Sequence, residues 1–481
     1  MRVLGNRRFG VHYVGALLGI LAAGCSDEST DESTVPILFG ATISRTGVSA
    51  VGTWESALGL AAADAAEGLA EADYPTGKRL DFKTRVADTV NNTENTVSKG
   101  QDLVADGAKM LMVGTSSDAV ALSALAYDDD DSNDIDVPVL CIACSSPALH
   151  NPEAMNADAV LQAANRNELD WVFGLAMAST YQSQVLWNII GDMTPDGNDA
   201  GDLNGDGVVK ISTVAQADGF GTGFQNALEG VALGASPDLV YEKLTFPTTN
   251  DVNEEPIWND LVDLLTDAAT TDAMGEALPD VEPDIVIEFA FPQFSLALVK
   301  AYAAASSEQP FLHTHSMRER PVVLSAETAL NGHQGTSYLP SDGESGEMFD
   351  EHFSNSLGVA RESQWDSGAY DTGFLTALAV LKASADLDDP ASVSGESVRD
   401  ALQTLNDPDG EVIRPGRSEF AKAARLIAEG SPINYEGASG PCDFDEHGRA
   451  LNRIAHWQAN DEQIETLAVY DCVSSPTCPK Q

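Results

Sequence analysis

The chain has 481 residues, with 75 Asp and Glu against 26 Lys and Arg, a formal net charge of −49, and 43% hydrophobic residues. A surface this acidic repels phosphate backbones and anionic headgroups, which argues against nucleic acid as a partner. The length exceeds what one hydrophobic core usually holds, so two lobes are expected.

Residues 1–24 carry Arg2, Arg7 and Arg8, no acid, and an apolar stretch from Val14 to Ala23 broken only by glycines. That is a charged head and hydrophobic core of signal-peptide length, too short to span a bilayer. Ala22, Ala23 and Gly24 before Cys25 resemble a bacterial lipobox, whose cysteine takes a diacylglyceryl group and becomes the new N-terminus; Leu21 stands one place earlier than the lipobox leucine usually does. The expectation is a lipid-anchored protein on the periplasmic side of the cell envelope, held by a polar tether over 25–34; the alternative is an ordinary secreted protein with a stray cysteine. No other apolar run reaches membrane-spanning length.

From Val35 onward, strand-like runs alternate with helical ones. Strands are expected at 35–43, 80–88, 109–114, 137–143, 208–216, 238–246, 283–291 and 310–316, several of them continuous apolar runs of the kind covered on both faces. Between them, 53–69 places Leu58, Ala61, Ala62, Ala65 and Leu69 on one helical stripe, and 256–269 stacks Leu261, Leu264 and Leu265. This alternation predicts an α/β fold of doubly wound parallel sheets. Helices at 367–386, 394–406 and 417–430 are followed by short strands and turns that read as a small antiparallel addition. Loops are expected at 127–136, 192–207, 247–256 and 407–416.

Five cysteines follow Cys25, and disulfides are allowed outside the cytoplasm. Cys442 and Cys472 flank the terminal meander and are expected to pair, with Cys478 as the competing partner. The "CIAC" of Cys141 and Cys144 either closes on itself or stays reduced; it ends a strand, whereas a thioredoxin-like site wants a helix start.

Two turns have the chemistry to hold a carboxylate, because hydroxyls and N–H groups at helix starts favour negative charge. "GTSSDA" (114–119) ends a strand and begins a helix, so Ser116 or Ser117 either caps that helix or holds a ligand. "ACSSP" (143–147) is the second such turn. "DLNGDG" (202–207) spaces Asp202, Asn204, Asp206 and Gly207 like the first half of a calcium loop, but position twelve is Thr213 where a glutamate is required, which favours a solvated turn over weak calcium binding. His313 and His315 share a strand face with no third metal ligand in view. No zinc-protease, phosphate-loop, nucleophile-elbow or dinucleotide motif is present, so neither an enzyme nor a cofactor is expected.

The order of these segments resembles the type I periplasmic binding proteins, and within them the leucine/isoleucine/valine-binding family of ABC importers. The residues that carry the resemblance are "ILFGATISRTGVSAVGTWESALGLAAADAAEG", "VADTVNNTENTVSKGQDLVADGAKMLMVGTSSDAVALSA", "VPVLCIACSSPALHN", "AQADGFGTGFQNALEG" and "GPCDFDEHGRALNRIAHWQ", in that family's order over about 35–472. The resemblance implies two lobes joined by a three-strand hinge: 35–165 with 318–430, and 166–317 with 431–481. It implies a cleft in which Ser117, Ala143 through its backbone and Ser145 through its hydroxyl receive an acid group, and Phe220 covers the ligand. Phe289 and Phe291 fall near another aromatic position but share a strand face that reads as core. The family's first turn carries an aromatic where Val51 aligns. The acid that receives a ligand ammonium would fall at His315, which puts an α-amino acid in question unless Glu288 compensates. The expected function is a solute receptor that binds an amino acid or related carboxylate for an ABC permease; the alternative is a sensory ligand-binding protein not coupled to transport.

Overall fold

The computed structural model describes residues 34–45, 53–75, 78–127, 136–150, 165–166, 169–266, 282–361, 363–445 and 447–481. The leader, Cys25, the tether to residue 33, Val51 and most of the acidic loop at 127–136 lie outside the described residues.

Two parallel sheets are wound alike. The first contains β1 (Val35–Ile43), β2 (Leu80–Asp88), β3 (Leu111–Val113) and β4 (Val139–Cys141). After a separate short pair, β5 (Asn165–Arg166) and β6 (Leu169–Asp170), β7 (Val172–Gly174) completes it in the order β2-β1-β3-β4-β7. The second repeats that order with β8 (Lys210–Gln216), β9 (Val240–Phe246), β10 (Ile285–Phe289), β11 (Phe311–His313) and β12 (Gln334–Tyr338). A parallel pair, β13 (Glu411–Ile413) and β14 (Ile433–Tyr435), stands apart from both. An antiparallel hairpin, β15 (Arg453–Asn460) and β16 (Gln463–Asp471), then extends the second sheet beyond β12. Every residue of β8 and β10 is buried, as helices on both faces require.

Sheet membership moves the expected lobe boundaries. β7 lies beyond residue 165 yet belongs to the first sheet, and β12 lies beyond 317 yet belongs to the second. The chain thus passes between the sheets at 175–178, 339–343 and 436–452. The helix Asp366–Ser384 is buried nearly all round because it packs in the first lobe against the helices Trp54–Glu71, Gly395–Leu402 and Arg417–Ala428. The stripe expected on Trp54–Glu71 is buried as read. On Glu255–Thr266 the buried stripe is instead Trp258, Val262 and Leu265, with Leu264 48% exposed, because the indole offers the larger apolar area.

The disulfides are Cys141–Cys144 and Cys472–Cys478, and Cys442 is a buried free thiol. The expected Cys442–Cys472 bridge does not form. Cys442 lies against Ser439 and against Asp371 of the first lobe, while Cys472 directly follows β16, beside the tail that brings Cys478 back within six residues. No helix among the described residues is long and apolar enough to cross a membrane.

Candidate functional site

In a doubly wound sheet the crevice lies beyond the carboxyl ends of the strands, where the strand order reverses. Here both sheets turn those ends toward one cleft. Ser44 follows β1, Thr115 follows β3, Ala143 follows β4, Asp218 follows β8, Phe291 follows β10 and His315 follows β11, and all six line it. An inner chamber of about 50 Å³ has Trp54, Thr115, Ser116, Ala143 and Trp365 on one side and Phe220, Phe291, His315, Ser316 and Glu319 on the other. It adjoins an outer vestibule of about 480 Å³, and Thr115 and Phe291 belong to the walls of both.

His315 opens a 3-10 turn instead of continuing β11, so it leaves the face of His313 and enters the chamber. The Gln182 amide donates to the Thr336 carbonyl and hydroxyl at 3.0 and 2.6 Å, which turns Gln182 Oε1 toward His315 Nδ1 at 3.2 Å. Nδ1 therefore carries the ring proton and Nε2 the lone pair. Burial among Phe220, Tyr338 and Trp365 pushes the His315 pKa down to about 3, so the ring is neutral and supplies no charge of either sign.

Four residues further on, Glu319 brings a carboxyl to the chamber wall. It is 6% exposed, and its Oε1 is buried with no hydrogen-bond partner among the described residues. Burial pushes its pKa up to about 8, with Ser363 pulling back and Asp366 adding to the rise. With no cation against it, the carboxyl is mostly protonated at neutral pH.

Opposite stands the serine turn. Thr115, not Ser116 or Ser117, is the helix cap. That leaves Ser116 Oγ to accept the N–H groups of Ser145 and Ser146 at 3.2 and 3.1 Å, tying the second turn to the first. With both lone pairs engaged, the Ser116 hydroxyl has its proton left to donate. Ser117 lines the vestibule. Ala143 lines the chamber, but its N–H donates to the Gly114 carbonyl at 3.2 Å, so it contributes a wall. Ser145 is fully buried behind the chamber, its carbonyl accepting the Ser179 N–H, and it is not a lining residue.

Phe220 lies in the chamber wall, stacked on Phe291 with ring centroids 5.4 Å apart. Phe291 sits just past the end of β10, so it departs from the face of Phe289, which stacks on Phe224 in the core. Glu288 points away from the chamber, accepting from Ser295 and meeting His313 at 3.2 Å, while His313 Nε2 meets His333 at 2.8 Å. Among the described residues no group of three His, Cys, Asp or Glu could hold a metal. The Asp202 loop is closed by its own side chains and anchored by Asp284: Asp202 accepts from Gly205 and Gly207, Asn204 from Asp206, and Asp206 from Val208, while Asp284 Oδ1 accepts the N–H groups of Leu203 and Asn204.

Sequence reading missed Trp54, Trp365 and Glu319. Glu319 stands in "MRERP", where two arginines make it look solvated. Trp54 depends on Gly114, since a Cβ there would come within 2.8 Å of the indole. Gly114→Ala is expected to displace this wall and weaken ligand binding about 10-fold, with a small change in melting temperature, readable by calorimetric titration of the variant.

No protein-family model and no curated protein matches the sequence. Solved structures do. A leucine-binding protein from Thermotoga maritima aligns with TM-score 0.60 and 12% identity over 91% of this chain and 99% of that one. A branched-chain amino acid ABC transporter protein from Thermus thermophilus with bound valine gives 0.60 and 13% over 90% and 96%. A solute-binding protein from R. palustris in complex with benzoate gives 0.58 and 14% over 93% and 98%. The fold is that of these two-lobed binding proteins, as the resemblance implied.

Proposed function

We propose that the chain is an extracytoplasmic solute-binding protein that closes two lobes over a small amino acid or related carboxylate and presents it to an ABC permease. The observation that carries this reading is the inner chamber, with a hydroxyl donor at Ser116 on one lobe and a buried carboxyl at Glu319 on the other. A ligand held by both favours the closed form, with the three passages between the sheets acting as the hinge. A thermal-shift screen of amino acids and small carboxylates at pH 6 and pH 8.5 tests it. An amino acid whose effect grows with pH is expected, since its ammonium needs Glu319 ionised.

The neutral state of Glu319 and His315 within an aromatic wall favours a second reading, an aromatic carboxylate without an amine. A protonated Glu319 would donate to that ligand, and its binding would fall as pH rises through 8. The two readings thus predict opposite slopes. Stabilisation by neither class at either pH would sink both.

The lipid anchor on Cys25 belongs to the same proposal. Cys25→Ser is expected to move the protein from the detergent phase to the aqueous phase on Triton X-114 partitioning of expressing cells; an unchanged partition would refute the anchor.

A further inference from the structure

The vestibule is larger than the chamber and differs from it in chemistry. Its described lining residues include no Lys or Arg and two carboxyls, Asp118 from the first lobe and Asp218 from the second. Both carboxyls are engaged within their own lobes: Asp118 by the hydroxyls of Thr96 and Thr115, Asp218 by Gln216 and the N–H groups of Phe220 and Gly221. Four hydroxyls remain, Thr93 and Ser117 on one lobe and Thr248 and Thr249 on the other, none hydrogen-bonded to a described residue. Phe291 and Val90 are the apolar groups present, too little to desolvate an aliphatic side chain.

The rim is also held in a costly shape. Val90 and Asn91 have φ of 54° and 52°, and a β-branched residue is strained there. Asp88 Oδ1 accepts the N–H groups of Arg45 and Val90, and Ser44 Oγ accepts that of Asn91, so the turn is fixed by side chains on the neighbouring strand ends. Strain over-determined in this way at a cleft mouth fits a preorganised binding surface.

We infer that the vestibule is the side-chain subsite for an amino acid whose head group sits in the chamber, and that it selects an uncharged amide- or hydroxyl-bearing side chain, of the glutamine or asparagine type, over a branched aliphatic one. This rests on the amino-acid reading above. The head group reaches Ser116 and Glu319, and its side chain leaves the chamber between Thr115 and Phe291, where hydroxyls from both lobes can bridge it. An acidic side chain meets Asp118 and Asp218 and is rejected. A site with polar groups to satisfy discriminates strongly against an isostere that lacks them.

The test is calorimetric titration of the full chain at pH 8.5 with L-glutamine, L-asparagine and L-leucine, the last two being close in shape. Glutamine or asparagine is expected to bind at least about 10-fold more tightly than leucine. Thr248→Val with Thr249→Val, which keeps the volume, is expected to lower amide-ligand affinity about 10-fold and leave any leucine affinity within about 3-fold, with an unchanged melting temperature as the check on folding. Leucine binding as tightly as the amides, or amide binding untouched by the double variant, overturns the inference and leaves the amino-acid reading standing. Binding of benzoate but of no amino acid overturns that reading, and this inference with it.

Discussion

Glu319→Gln is expected to weaken α-amino acid binding by on the order of 100-fold and to abolish its dependence on pH, because it leaves the ligand ammonium buried opposite a neutral amide. In the wild type, binding an ammonium requires Glu319 to lose its proton, and its pKa is pushed up to about 8 by burial. Each pH unit below 8 should therefore cost close to a factor of ten in affinity, with a plateau above it. The empty protein should respond in the opposite sense. The folded state keeps a proton that the unfolded chain loses near pH 4.5, so stability falls as pH rises from about 4.5 to about 8, by at most about 1.4 kcal/mol per unit. Glu319→Gln removes that decline, and its melting temperature should exceed the wild type's more at pH 8 than at pH 5. A variant that binds the amino acid as tightly as wild type, or keeps the wild-type pH slope, would displace Glu319 from the site.

What was legible in the sequence follows from burial. β1 and β2 fall on the expected residues because their apolar and alternating runs are long, whereas β8 and β9 each start two residues late and β10 is two residues shorter at both ends, because apolar residues continue past the paired stretch. β12 was invisible. Gln-Gly-Thr-Ser-Tyr has no apolar run, yet it is buried, with Gln182 bonded to Thr336 and Arg318 to Ser337. β7 is a three-residue strand that runs straight on into the apolar stretch 175–178, with no turn residue to mark where the strand ends.

The site divides along a similar line. Ser116, Ser117, Ala143, Phe220 and His315 lie within four residues of a strand's carboxyl end, so the order of strands in the sequence is enough to place them at the cleft they line. Trp54 and Trp365 arrive at helix starts more than 300 residues apart, and their shared wall exists only once the first lobe has folded. Cysteine pairing was out of reach for the same reason: "CIAC" is consistent with either redox state, and the choice between Cys442 and Cys478 depends on which lobe each residue packs in.

Asp371→Ala is expected to destabilise the protein by at least about 3 kcal/mol, the largest loss of stability among these variants. Asp371 lies fully buried on the helix Asp366–Ser384. Its Oδ1 accepts from the Tyr435 hydroxyl at 2.6 Å and the Ala438 N–H at 3.0 Å, and its Oδ2 accepts the Ser439 N–H and hydroxyl, both at 2.6 Å. The donors lie at the end of β14 and in the stretch that leaves it for β15, the last passage between the lobes, and alanine would leave the Tyr435 hydroxyl and the Ala438 N–H buried without this acceptor. Gly437 in that stretch has no room for a side chain, since a Cβ would come within 2.5 Å of Asp371 Oδ2, so Gly437→Ala should reproduce part of the loss with the carboxyl still present. Burial raises the pKa of Asp371 as it does that of Glu319, and the hydrogen bonds pull it back. The difference between the two carboxyls lies in their partners. Asp371 is saturated by its own chain and should matter for folding, whereas Glu319 keeps an oxygen without a partner and should matter for the ligand. Thermal unfolding of both variants separates the roles: Asp371→Ala should melt well below wild type and Glu319→Gln at or above it at pH 8. Should Asp371→Ala melt within about 1 °C of wild type, the last passage is not held by this carboxylate.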